Sequence, residues 1–129
     1  MSSKNIKVVH RIYEAFQTRD FAAFFSNLSP EIHITQCGEL PFGGVFQGLD
    51  EAQAFFKGVA NYVDSYITIE RIIDAGDRIA VIGRAYGTVK SNGHSFDVPV
   101  LHLYEFRNEL AIRLEIALDV PTMLAALDA

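Results

Sequence analysis

Apolar positions in the first sixteen residues fall on one helical stripe. Ile6, Val9, Tyr13 and Phe16 recur at helical spacing, and Val8 and Ile12 widen the face. Ser2 or Ser3 is the expected cap. Asp20 is placed to cap a short second helix that buries Phe21, Phe24, Phe25 and Leu28 and stops at Pro30. Ile32-His33-Ile34-Thr35 reads as a short strand. Residues 37–48, rich in Gly and holding Pro41, read as a loop or flap. Asp50-Glu51 then opens a third helix with acid at its positive end, on the stripe Ala52, Phe55, Phe56, Val59 and Tyr62.

After Asp64 the period changes from 3.6 to two. Strands are predicted over 66–74, 78–89, 95–107 and 110–118, and the short breaks between them imply antiparallel hairpins. Pro121 starts a terminal helical turn with Met123, Leu124 and Leu127. Helices followed by a meander imply an α+β fold, with helices on one face of a curved antiparallel sheet. Such a cone, lined by Phe and Tyr, is a natural small-molecule pocket.

Composition narrows the function. The chain has 129 residues, the size of one domain, so 1–129 is expected to be a single unit. Its net charge is −5, which argues against nucleic acid and against an anionic membrane surface. No apolar run is long enough for a membrane helix, and nothing near Met1 resembles a signal peptide. The lone Cys37 excludes an intrachain disulfide, so a cytoplasmic protein is expected. His10, His33, His94 and His102 lack metal-ligand spacing, and no nucleotide-binding or nucleophile-elbow motif occurs. No metal and no cofactor are therefore expected.

Three stretches carry a resemblance: Arg11 to Phe16 followed by Asp20 to Phe24; Phe46-Gln47-Gly48 to Ala52 leading into Phe55-Phe56; and Ile116 to Asp119 followed by Met123, Leu124 and Leu127. In their order and spacing the chain resembles the SnoaL-like polyketide cyclases and ketosteroid isomerase-related proteins of the NTF2-like superfamily. The resemblance implies an α+β cone, a deep apolar pocket and frequent dimers. It leaves the reaction open, because one fold hosts many chemistries. The isomerases' helix-one oxyanion Tyr falls on Ile12, beside Tyr13, and their general-base Asp falls on Gln36. Both departures put steroid isomerisation in doubt. The isomerases' second oxyanion donor falls on His102. The cyclases' acid/base Asp falls on Asp119.

His102 shares a strand face with Phe96, Val98, Val100, Tyr104 and Phe106, so it is expected to be buried. A neutral imidazole there suits an oxyanion or a proton near neutral pH; the alternative is a core His tied to a carbonyl. For Asp119, strand alternation and resemblance disagree. Alternation groups it with Arg113 and Glu115 on the polar face, and a helix cap is the plain alternative. His33 is expected at the pocket mouth, although it faces away from Ile32 and Ile34. Tyr13, Phe16, His33, Gln36, Phe56, Val100 and Tyr104 are expected around a substrate, with Asp119 and His102 catalytic.

The leading expectation is a cofactor-free acid/base enzyme of isomerase or cyclase type, acting on a small apolar carbonyl compound. The alternatives are a non-catalytic small-molecule-binding module and a dimerisation module of the same fold. Leu101 and Leu103, opposite the His102 face, are expected to form a homodimer patch.

Overall fold

The computed structural model describes the backbone of residues 2–128. The helices are α1 (Ser2–Gln17), α2 (Phe21–Ser26), α3 (Gly48–Tyr62) and α4 (Val120–Asp128). The strands are β1 (Leu28–Gln36), β2 (Gly44–Gln47), β3 (Val63–Asp74), β4 (Arg78–Val89), β5 (Ser95–Arg107) and β6 (Leu110–Leu118). They form one six-stranded sheet in the order β2-β1-β6-β5-β4-β3. This is a mixed α+β architecture of the kind the hydrophobic pattern implies.

Local signals set most boundaries. Val8, Val9, Ile12 and Tyr13 are buried along α1, as the stripe requires. The cap expected of Ser2 or Ser3 falls on side chains outside the described part. Asp20 does cap α2, its Oδ1 accepting from the Ala23 amide at 3.1 Å. At α3 the Glu51 carboxylate reaches back to accept from the Gln47 amide at 2.9 Å. Asn108 and Glu109 both take left-handed φ, 53° and 62°, which makes a tight two-residue turn between Arg107 and Leu110.

Three features differ from the sequence reading. Helix α2 ends at Ser26, and Leu28 and Pro30 belong to β1; the carbonyl of Asn27 already accepts from the Ala111 amide of β6. β1 runs parallel to β6, the one parallel pairing in the described sheet, because α3 and the meander lie between them in sequence. The flap is also not a free loop. Its residues 44–47 form the edge strand β2, and Leu40 and Phe42 are buried.

Apolar residues gather into two clusters. One joins α1, α2 and α3 to β1 and the far ends of β4 and β5; it includes Ile12, Phe24, Ile34, Phe55 and Tyr104. The other joins the flap and α4 to the near ends of β3, β4 and β5; it includes Phe42, Val63, Val98, Val100 and Met123. Between them the concave face is not filled.

Candidate functional site

A cavity of about 110 Å³ lies between helices and sheet, walled by residues of both clusters. Its lining is almost wholly aliphatic and aromatic. The polar side chains there are Tyr13, Gln36, Ser65, His102 and Tyr104. Strand alternation aims Gln36, Ser65, His102 and Tyr104 inward, and the buried stripe of α1 brings Tyr13 to face them. Val98, Val100, His102 and Tyr104 occupy one face of β5, and Leu114, Ile116 and Leu118 occupy the matching face of β6.

Three of these polar groups form one chain of hydrogen bonds. The Tyr104 hydroxyl donates to the Tyr13 hydroxyl oxygen at 3.0 Å. Tyr13 in turn lies 2.5 Å from His102 Nδ1. Tyr13 accepts from Tyr104 and has one proton of its own, which we assign to Nδ1. A neutral imidazole with Nδ1 as acceptor carries its proton on Nε2. The Tyr13 ring lies parallel to the imidazole, 8° apart, and edge-on to Tyr104, which holds the three rings in register.

Burial decides the protonation states. It lowers the His102 pKa from 6.5 to about 4, so the ring is neutral at physiological pH. Burial raises Tyr13 well above the ordinary phenol value, and the neighbouring Tyr104 adds to the effect. Burial also raises Tyr104, against an opposing pull from its hydrogen bond with Tyr13. The relay is thus an uncharged donor array in an apolar wall.

Of the residues expected at the site, Tyr13, Phe16, Gln36, Phe56, Val100, His102 and Tyr104 all line this cavity. Two do not. His33 sits on the opposite face of β1 from Ile32 and Ile34, partly exposed, with Gln47 and Arg113 as cross-strand partners. Asp119 follows Leu118, whose side chain is in the cavity, so alternation turns its carboxylate outward. There it caps α4: Oδ1 accepts from the Thr122 amide at 3.2 Å and Oδ2 from the Thr122 hydroxyl at 2.7 Å. Asp119 is therefore a structural cap, and the expected Asp119–His102 pair is not assembled.

The sequence reading missed Phe42 from the flap and Met123 from α4, both part of the wall. Leu40 and Phe42 bracket Pro41 within a glycine-rich stretch, and two large apolar residues there were the available signal. Among the described residues, no group of three or more His, Cys, Asp or Glu side chains comes together as a metal site would require.

The SnoaL-like domain model matches residues 9–114, well over half of the chain. The chain belongs to the SnoaL-like family. No curated protein matches it. Among solved structures, this SnoaL-like chain is similar to an NTF2-like protein of unknown function from Burkholderia pseudomallei K96243. They share 28% identity over 98% of each chain, with a TM-score of 0.92. It is also similar to TerC, co-crystallized with polyporic acid, at 21% identity over 98% of this chain and 99% of that one, TM-score 0.90. A protein from Jannaschia sp. CCS1, proposed to be a SnoaL-like polyketide cyclase, matches at 18% identity over 99% and 94%, TM-score 0.83. These likenesses place the SnoaL-like chain in the NTF2-like fold, whose cone is the cavity described above. No helix among the described residues is long and apolar enough to cross a membrane.

Proposed function

We propose that the protein is a cofactor-free enzyme of isomerase or cyclase type, acting on a small, largely apolar carbonyl compound in this cavity. The observation that carries the reading is the buried Tyr104–Tyr13–His102 relay within an otherwise apolar wall. The relay leaves His102 Nε2–H as its unspent donor. Loss of a proton beside a carbonyl builds negative charge on the oxygen, and a donor fixed in a dry site stabilises that charge without reorganising. Tyr13 sets the tautomer and angle of the imidazole, and Tyr104 steadies Tyr13. Among the described residues, the cavity lining holds no carboxylate. In this reading the carbon-bound proton therefore leaves to a water or buffer base at the mouth, and the protein contributes the oxyanion donor.

That same lack of a carboxylate favours a second reading, a binding module that holds the ligand unchanged. One experiment separates them. The protein is mixed with 1-tetralone in deuterated buffer, and loss of the proton signal beside the carbonyl is followed by NMR. An enzyme accelerates exchange, and His102→Phe lowers the acceleration by roughly 10²–10³-fold. Saturable binding of tetralone with exchange at the buffer rate would establish the binding module instead.

We also propose a homodimer through the outer sheet face. Ile82, Leu101 and Ala117 align across β4, β5 and β6 there, and Leu101 and Tyr86 are each 39% exposed. Light scattering is expected to return twice the chain mass, and Leu101→Glu to halve it. A wild-type monomer at micromolar concentration would remove the claim.

A further inference from the structure

Arg19 stands where side chains are uncommon. Helix α1 ends in a Schellman turn: the Arg19 amide donates to the Phe16 carbonyl at 3.2 Å and the Asp20 amide to the Ala15 carbonyl at 2.9 Å. Arg19 itself takes left-handed φ, 59°, at the position where such turns ordinarily place glycine. An arginine kept in that conformation points to a task for its side chain.

That side chain bridges two walls of the cavity. Its guanidinium lies over the Phe16 ring at 4.8 Å and over the Tyr66 ring at 4.4 Å. Nη1 donates to the Phe16 carbonyl at 3.3 Å. Nη2 donates to the Ser65 carbonyl at 2.8 Å and to Asp64 Oδ1 at 3.3 Å. Phe16 of α1 and Ser65 of β3 line the cavity, and both are partly exposed. Tyr66 lies on the other face of β3 from Ser65. β3 is an edge of the sheet, so no further strand seals that side. The flap and α4 side is different: Phe42, Phe96 and Met123 wall it and are all buried, so apolar packing shuts it. At the seam between α1 and β3 the closure is polar and partly solvated, the Arg19 side chain being 33% exposed. Such contacts exchange with water more readily than an apolar seal does.

We infer that this seam is the ligand's way in and that Arg19 is its latch. An apolar molecule passes between Phe16 and Ser65 only while the guanidinium is off its two rings. The latch rests on a cavity that admits an apolar ligand, which the enzyme and binding-module readings share. It acts on passage rather than on fit. Removing it therefore changes the on-rate and the off-rate together and leaves Kd nearly in place.

Indole tests this, because the chain contains no Trp and indole emission is read without interference from the protein. Stopped-flow mixing and dilution give the two rates. Arg19→Gly removes the side chain yet supplies the residue the turn prefers, so the fold is retained, which thermal melting checks. Its association and dissociation rates should each rise about tenfold, the scale of a cation–π contact and a hydrogen bond lost together, with Kd within about threefold of the wild type. Tyr66→Leu, which removes one ring outside the cavity, should raise both rates by a smaller factor. Arg19→Lys, which keeps the charge but not the planar fork, should fall between Arg19→Gly and the wild type. Wild-type rates in Arg19→Gly, or a weaker Kd with an unchanged association rate, would overturn the latch and leave the cavity readings standing. No saturable binding of indole by the wild type would overturn the latch and those readings together.

Discussion

Acidification from pH 7 to pH 4 is expected to remove roughly 3 kcal/mol of folding stability through His102 alone, at ~1.4 kcal/mol per pKa unit. The ring titrates near 6.5 when the chain is unfolded and at about 4 when folded. Between those values the unfolded state holds the extra proton. The contribution is therefore complete above pH 6.5 and is lost as the pH falls towards 4. The cause is desolvation: His102 sits among Val100, Tyr104 and the apolar floor, where an imidazolium would have no water. Urea unfolding of the wild type and of His102→Asn at several pH values isolates the effect. Asparagine places an amide oxygen at the Nδ1 position, where it can accept from Tyr13, and does not titrate. The stability difference between the two proteins should shrink steadily below pH 6.5. A difference that stays constant down to pH 4 would mean that the ring titrates at its ordinary value in the folded protein and is not held neutral by burial.

Gly87→Ala is expected to be among the most damaging single-methyl additions in the chain. A Cβ at Gly87 would lie 1.8 Å from the Asp64 carbonyl oxygen and 2.9 Å from its carbon. Both are backbone atoms of β3, so relief requires moving a strand. Its φ of 155° is also one that side chains rarely adopt. Overpacking and backbone strain together should cost about 3–5 kcal/mol. For a domain of this size that is a fall in Tm on the order of 10–20 °C. Gly83 repeats the geometry, its Cβ position 2.1 Å from the Thr68 carbonyl oxygen. Both glycines share with Ala85 the face of β4 that looks into the cone. Small residues there let β3 fold over β4, which is how the sheet acquires its curvature. Gly58 is the control. It lies inside α3 with nothing within 4 Å of its Cβ position, and Gly58→Ala should stabilise by about 1 kcal/mol or less. Thermal melts of the three alanine variants check the contrast. A Gly87→Ala protein that melts with the wild type would show that the cone does not depend on this close approach.

Much of the site was legible because strand alternation is a strict geometric rule. The even positions of β5 are apolar apart from His102 and the Tyr104 hydroxyl, and that alone placed His102 inside. The same rule set Asp119 with Arg113 and Glu115 on the outer face. The family resemblance argued for the pocket, and alternation proved the better guide: the carboxylate is spent on α4. His33 was open to the same test, since its neighbours Ile32 and Ile34 take the inner positions of β1.

The sequence by itself determined which segments become helix or strand and which face of each is apolar. Those properties depend on neighbours within a few residues, through hydrogen bonds at i−4 or a pleat of period two. Tertiary structure decided what meets across the cone. The Tyr13–His102 bond joins residues 89 apart, and the parallel pairing of β1 with β6 brings Gln36 into line with His102. No local pattern encodes either contact. Each follows from how the sheet coils and where α1 crosses it, and those are settled by packing the whole apolar surface at once.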